Sequence, residues 1–481
     1  MINKISEFLR KTNSVVERVA IKRVELKGIH KRYDLDIDFN EDLTILHGQN
    51  GTGKSTLIHI IANVANCDFI RFAFIDFNSI KVIYSNGEII RLFQKETDSV
   101  VTIKIEASSG NFFEFSKDDA IKDVREKEGD RYYNDFTPEL SNAINKFVVK
   151  NNLRSIETSY FPAFRTMLEA WSSQRDDREL RTRNIRKKSD KYGSPQVTAF
   201  SRNLFGQFLP AINYPSPLDI EYRLKMEVRD ALMSIGRYES SVFSESFVKV
   251  FSALLNGSET SSNTDQILVE IAELIADSSS TKLGNVENKS GTYNNLRKLV
   301  GNGRQLGELA SSAAGALSVY RDALKERQQF QVSTFGEVDE YFDVVNYFLE
   351  GKELKYELTD EDDMKRKTPR VGLKFPDGSW SSIKVMSSGE RQLLTMLYAV
   401  NKMSGNSAVL IDEPELSLHI DWQEDLVGKM MQQLGDRQII VCTHSPSIAE
   451  DFFDYMTEIV PRFSNESMAD VDDLDFEEDM I

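Results

Sequence analysis

The sequence predicts an α/β protein: an antiparallel β-lobe and a glycine-rich loop come first, a helical insertion interrupts the chain, and buried parallel strands complete the fold. Three observations predict it. Polar and apolar residues alternate through the first third, and apolar residues recur at helical spacing through the middle. Short unbroken apolar runs flank a glycine-rich loop near the start and an acidic pair near the end.

Between residues 21 and 39, Ile21, Val24 and Leu26, then Tyr33, Leu35, Ile37 and Phe39 alternate with polar neighbours, which predicts two strands turning near Gly28 to Lys31. Residues 43–47 read as a buried strand. Residues 81–92 are broken by Asn86-Gly87 and residues 100–115 by Ser109-Gly110, so both read as β-hairpins whose turn residues tolerate positive φ. Residues 155–164 add a strand ended by Pro162. Beyond residue 165 the period changes. Leu224, Val228, Leu232 and Ile235; Ile267, Ile271, Leu274 and Ile275; Leu309, Ala313, Leu317, Tyr320 and Leu324; and Val338, Tyr341, Val345 and Phe348 are spaced as on helices. Polar stretches at 258–264 and 277–292 read as loops. Strand character returns at 371–380 around Asp377-Gly378. Residues 408–411 and 439–443 are short apolar runs typical of parallel strands.

The chain has 481 residues, enough for roughly three domains at about 150 residues each. With 40% apolar and 28% charged residues it reads as a soluble globular protein, and no apolar run approaches the roughly 20 residues of a membrane span. The first twenty residues interleave Lys4, Glu7, Arg10, Lys11, Glu17 and Arg18 with apolar ones, unlike a secretory signal, so the expected location is cytoplasmic. Cys67 and Cys442 form no metal-ligand spacing with the five scattered histidines and are expected to be reduced core residues.

The net charge is −17 and unevenly spread. The last sixteen residues hold eight acids and no base, which suits a solubilising end or, through Leu474, Phe476 and Met480, a partner-docking segment. From 175 to 191 eight bases (Arg175, Arg178, Arg181, Arg183, Arg186, Lys187, Lys188, Lys191) face four acids. That run is either a solvated helix face or a local grip on nucleic acid, because an acidic surface repels phosphate elsewhere.

Gly48-Gln49-Asn50-Gly51-Thr52-Gly53-Lys54-Ser55 fits the Walker A pattern and sits after an apolar strand and before a helix. Backbone N–H groups at Gly48, Asn50, Gly51 and Gly53 can approach phosphate oxygens, with Thr56 continuing the loop into the helix. Lys54 neutralises β/γ oxygens, Ser55 can ligate Mg²⁺, and the helix N-terminus adds partial positive charge. Residues 408–413 form a strand delivering two carboxylates, the Walker B arrangement: Asp412 to hold Mg²⁺ or its water, Glu413 to orient and deprotonate the attacking water. Thr443-His444 follows the next strand, and His444 supplies a donor for the γ-phosphate. The expected cofactors are ATP and Mg²⁺, and the expected catalytic residues are Glu413, His444 and Lys54.

Met386-Ser387-Ser388-Gly389-Glu390-Arg391-Gln392, with Asp412-Glu413-Pro414-Glu415-Leu416-Ser417-Leu418-His419 and Thr443-His444-Ser445-Pro446, resembles the ABC-type ATPase head of the RecF, Rad50 and OLD group. The resemblance implies that Ser388, Gly389 and Glu390 form a signature capping the γ-phosphate held on a neighbouring copy's Lys54, with Ser417 to His419 as D-loop. It therefore implies a homodimer or higher homo-oligomer. No Gln marks a Q-loop; there the chain reads Tyr160-Phe161-Pro162-Ala163-Phe164-Arg165, a Phe-Pro-x-x-Arg turn similar to that of AAA-15/AAA-21 ATPases of bacterial defence systems. Arg165 has three readings: nucleotide sensing, partner contact or a structural turn. His30 and Tyr33 are candidates by position for stacking on adenine.

The expected organisation is 1–165, N-terminal half of the head; 166–365, helical insertion; 366–465, C-terminal half; 466–481, acidic tail. Between Gly53 and Ser387 lie too few residues for the long coiled coils of Rad50, and the 37 residues after His444 leave no room for the Toprim nuclease domain of OLD-type proteins. Together these features are most similar to the ATPase subunits of two-component anti-phage defence systems, Septu (PtuA) first and PARIS next. That implies an ATP-controlled scaffold and switch for a separate effector nuclease, often HNH-like. The alternative is a RecF-like DNA-binding ATPase gripping DNA through residues 175–191.

Overall fold

Alternation along the first strands does what period two dictates. β1 (Ile21–Ile29) and β2 (Tyr33–Asp38) pair antiparallel, with Tyr33, Leu35 and Ile37 buried and Asp34, Asp36 and Asp38 facing out. β3 (Leu43–His47), buried along nearly its whole length, runs into the glycine-rich loop and α1 (Lys54–Ala65). The hairpin strands β4 (Ser79–Tyr84) and β5 (Ile89–Thr97), then β6 (Val100–Glu106) and β7 (Phe112–Ser116), turn at the two glycine dipeptides. α2 (Lys117–Gly129) and α3 (Glu139–Lys150) follow, then β8 (Glu157–Phe161) and α4 (Pro195–Phe205). Next come α5 (Pro217–Leu255), α6 (Ala310–Phe348), β9 (Glu353–Asp360), β10 (Lys367–Lys374) and β11 (Trp380–Ser381). The chain continues through α7 (Ser388–Lys402), β12 (Ser407–Asp412), α8 (Ile420–Gln432), β13 (Gln438–Cys442), β14 (Met456–Glu458) and β15 (Arg462–Phe463).

These elements come from a computed structural model that describes residues 18–129, 139–154, 156–165, 195–255, 266–267, 269–271, 273–274, 310–360, 367–402, 407–434 and 437–463. The basic run at 175–191, the acidic tail and the polar stretches at 258–264 and 277–292 lie outside the described residues.

Two compact units divide the chain: Met1–Ser216 with Ser388–Ile481, and Pro217–Ser387. The first holds a seven-stranded antiparallel sheet, β15-β2-β1-β4-β5-β6-β7, and a five-stranded parallel sheet, β14-β3-β13-β12-β8. Their apolar faces share one core with α1. The buried Gln438 amide joins the two sheets: its oxygen accepts from Ile21 N at 2.9 Å, and its nitrogen donates to Ile21 O at 2.9 Å and Asn40 O at 2.7 Å. In the parallel sheet Cys442 pairs with both Leu46 and Asp412. The glycine-rich loop, the acidic pair and Thr443-His444 therefore leave one sheet edge side by side, at the carboxyl ends where open α/β sheets bind ligands.

In the second unit α5 and α6 pack against each other, each 39 residues and about 58 Å long. Leu224, Val228 and Ile235 on one, and Val338, Tyr341, Val345 and Phe348 on the other, are buried as their spacing requires. Tyr238 stacks on Phe330 with ring centroids 3.9 Å apart. The patterns at 310–324 and 338–348 belong to one helix, and no proline interrupts the chain between them.

The unit boundaries fall at 216 and 387, where the sequence reading placed the insertion at 166–365. Val197 and Phe200 of α4 pack on the β-lobe core, and β9, β10 and β11 form a separate antiparallel sheet with β10 against α5.

Candidate nucleotide site

The loop between β3 and α1 is built for close approach. Gly53, the residue before α1, has φ 93°, and a Cβ there would meet Tyr33 Cζ at 2.8 Å. Only glycine accepts both conditions. The Lys54 ammonium folds back on the loop, donating to Gly48 O and Gln49 O at 2.8 Å each, and burial pushes its pKa down. The Tyr33 hydroxyl hydrogen-bonds Thr56, so Tyr33 forms a floor under the loop.

The strand bearing the acidic pair ends beside this loop. Asp412 is 5% exposed and hydrogen-bonded to the Ser55 hydroxyl; burial pushes its carboxyl up to about 6. One buried carboxylate beside one hydroxyl suits Mg²⁺, which binds through one or two carboxylates and takes its other ligands from water and phosphate. Glu413 stands in the left-handed region at φ 49°, its N–H donating to Cys442 O at 2.8 Å. This turn places Glu413 Oε1 4.0 Å from His444 Nε2.

A cavity of about 790 Å³ gathers these groups: Asn50, Gly51, Gly53, Lys54, Ser55 and Thr56 from the loop, with Glu413 and His444 opposite. His30, Arg32, Tyr33 and Phe463 line it as well. His30 is exposed in a left-handed turn (φ 52°), whereas Tyr33 is buried and meets Phe463 edge-on at 6.5 Å. Of the two adenine candidates His30 presents the open ring, and Phe463 is a third that the sequence reading missed. Its strand is two residues long and carries no alternation to detect.

Ser388, Gly389 and Glu390 are not among the residues lining the cavity. Ser388 is exposed at the first position of α7, while Gly389 and Glu390 are buried. Gly389 seats on the left-handed Ser417 (φ 68°), so α7 rests on the turn after the acidic pair.

Two further residues frame the site. Arg165, 2% exposed and outside the cavity lining, donates to Pro162 O and Asp412 O at 3.0 Å, Glu413 O at 2.9 Å and Pro414 O at 3.1 Å. Of its three readings the geometry selects the structural one, a clamp on the acidic turn. Glu415 Oε1 accepts from Thr443 Oγ1 at 2.8 Å, His444 N at 2.9 Å and Ser445 N at 3.1 Å, fixing the loop that carries His444. An acid two residues beyond the acidic pair was the only sequence signal for this tie. Cys67 and Cys442 are buried free thiols in the core.

The family match agrees with this arrangement. The family AAA_15, AAA ATPase domain, matches residues 20–449. The chain is 32% identical over 79 residues to the "Retron Ec83 probable ATPase" of Escherichia coli, covering 14% of this chain and 15% of that protein. It is 31% identical over 109 residues to the "Retron Vc95 probable ATPase" of Vibrio cholerae serotype O1 biovar El Tor, covering 20% and 21%. These stretches span about a fifth or less of the relatives' lengths. Among solved structures, the Smc head domain with an extended coiled coil bound to the C-terminal domain of ScpA, derived from Pyrococcus furiosus, is 14% identical, with a TM-score of 0.35 over 94% of this chain and 98% of that one. The Smc head domain with a coiled coil and joint from Pyrococcus yayanosii is also 14% identical, at 0.35 over 93% and 97%. No described helix is long and apolar enough to cross a membrane. The family match over most of the chain, with a glycine-rich loop and an acidic strand end on one parallel sheet edge, makes the chain a member of the AAA_15 ATPase domain family.

Proposed function

We propose that the chain is the ATP-binding and hydrolysing subunit of a bacterial anti-phage defence complex, acting in the cytoplasm as scaffold and switch for a separate effector, an HNH-like nuclease. One observation carries the mechanism. Ser388 stands exposed at the N-terminus of a fifteen-residue helix and lies outside its own chain's cavity, so a second copy is needed to bring that anion-binding helix end onto the nucleotide.

In this reading the loop from Gly48 to Thr56 cradles the phosphates, and Lys54 leaves its loop carbonyls to neutralise them. Ser55 and Asp412 would hold Mg²⁺, which would supply charge neutralisation to the phosphates. Glu413 takes a proton from the attacking water, and His444 donates to the transferred phosphoryl group. Ser388 and Gly389 of the second copy close the site, and hydrolysis reopens it. The names of the retron relatives support the defence assignment; the Septu and PARIS resemblance of the motifs supports a separate effector.

The test is nucleotide binding and assembly by Lys54→Ala and Glu413→Gln. Lys54→Ala is expected to lose ATP binding, and Glu413→Gln to hold ATP in a stable dimer seen by gel filtration. Tight ATP binding by Lys54→Ala sinks the site. For the task, wild-type chain expressed with its neighbouring open reading frame should reduce phage plating, and Lys54→Ala should not. Salt-dependent DNA binding lost on reversing Arg181, Arg183, Lys187 and Lys188, with no effect on phage, would favour the repair reading instead.

A further inference from the structure

The carbonyl of Pro414, one residue past Glu413, accepts two side chains from different elements. Arg165 Nη2 reaches it from the end of β8 and Gln392 Nε2 from the first turns of α7, each at 3.1 Å. Arg165 also holds the carbonyls of Asp412 and Glu413, so the left-handed turn that aims Glu413 is pinned along its length. Gln392 ties that turn to the helix whose exposed N-terminus carries Ser388. Gly389, one turn earlier, rests on Ser417. The helix thus grips residues 414 and 417, the stretch directly after Glu413, at two points.

As a stabilising element the Gln392 amide is poor. Its residue is 1% exposed, and its Oε1 is buried with no hydrogen-bond partner among the described residues. One neutral hydrogen bond contributes no more than an orphaned buried acceptor costs. Nor does the Pro414 carbonyl need a second donor, since Arg165 already satisfies it. Methionine has the same length and would fill the space without that cost. What methionine lacks is the bond itself.

We propose that Gln392 is a positioning residue: it passes the seat of α7 to Pro414 and thereby sets Glu413 of the same chain. This rests on the two-copy reading above, and there it has a consequence. The helix that caps nucleotide on one copy readies the general base of the opposite site, so the two sites hydrolyse in concert.

The experiment compares wild type with Gln392→Met by melting temperature, affinity for a fluorescent ATP analogue and steady-state turnover. The expected result is an unchanged melting temperature, affinity within about twofold and turnover lower by about tenfold, the size of a typical coupling between sites. Wild-type turnover in Gln392→Met overturns the proposal. So does lost turnover that comes with weaker analogue binding or a lower melting temperature, which would make Gln392 a packing residue. Gel filtration of Glu413→Gln with ATP separates this from the underlying reading. If no dimer forms, the two-copy reading fails and the proposal falls with it. If the dimer forms and Gln392→Met turns over normally, the proposal alone has failed.

Discussion

The main-chain oxygen of Ser417 lies nearer than 3.0 Å to the point where a Cβ on Gly389 would stand. A helix backbone and a left-handed turn are in direct contact, with no side chain between them. Alanine favours a helix interior over glycine by about 1 kcal/mol, so Gly389→Ala would stabilise an isolated helix. Here the clash with backbone that cannot swing aside reverses the sign. Overpacking of this kind costs about 1 to 3 kcal/mol. Gly389→Ala is expected to lower the melting temperature and turnover while ATP-analogue binding at Lys54 persists; an unchanged melting temperature would show that the turn yields freely.

Stability should also depend on His59. Its Nε2 lies 2.7 Å from Tyr160 Oη, and burial pushes its pKa down to about 4 from an ordinary value of 6.5. The folded state therefore keeps the ring neutral where the unfolded chain would protonate it. That contribution is full above pH 6.5 and is lost as pH falls from 6.5 towards 4. Allowing for the partial exposure of the residue, the loss amounts to about 2 kcal/mol. Between pH 7.5 and 4.5 wild type should lose more melting temperature than His59→Gln, which cannot take up a proton. Parallel losses in the two proteins would rule His59 out as the source.

Residues whose chemistry dictates their spacing were legible. The glycines around Lys54, the carboxylates ending a buried strand and His444 after the next one stand out by local pattern, and the parallel register sets them side by side. Residues placed only by tertiary contact were not. Phe463 reaches the cavity because β15 pairs with β2 and sets it opposite Tyr33, and Arg32 reaches it from the turn between β1 and β2. α2 was missed because Ala120 and Val124 are its only buried apolar residues among many charges. The first unit's limit at 216 was hidden because only tertiary packing assigns α4 to that unit: Val197 and Phe200 pack on its core.

Glu415 is the next test, because three donors from residues 443–445 converge on one of its oxygens. Bonds to a carboxylate are roughly twice as strong as neutral ones. Glu415→Gln keeps an acceptor oxygen and loses the charge; Glu415→Ala removes the shared acceptor, leaving His444 N without it and Ser445 N with only its bond to Thr443 Oγ1 at 2.9 Å. Stability should fall by about 1 kcal/mol for the first and about 2 to 3 kcal/mol for the second. His444 would then be misplaced, and a displacement near 1 Å can cost about a hundredfold in rate. Turnover should therefore rank wild type, Gln, Ala, with analogue binding preserved. Equal turnover in Gln and Ala would remove the acceptor from the argument.

Asp412 sets stability against function. Burial pushes its carboxyl up to about 6, so at pH 7.5 the metal-free protein holds a charge that the fold disfavours. A shift of about two units corresponds to about 3 kcal/mol. Asparagine has nearly the same shape, keeps an oxygen to accept from the Ser55 hydroxyl and carries no charge. In chelator at pH 7.5, Asp412→Asn is expected to be more stable than wild type by about 2 kcal/mol, part of the full gain going to desolvation of the amide N–H groups. Hydrolysis should be lost in the same variant, because a neutral amide cannot replace the carboxylate that would hold Mg²⁺. The measurement is a pair of denaturant melts beside a phosphate-release assay. If Asp412→Asn melts at lower denaturant than wild type, the buried carboxylate earns its place in the fold by some contact with no asparagine equivalent, and stability would not be the quantity this site gives up.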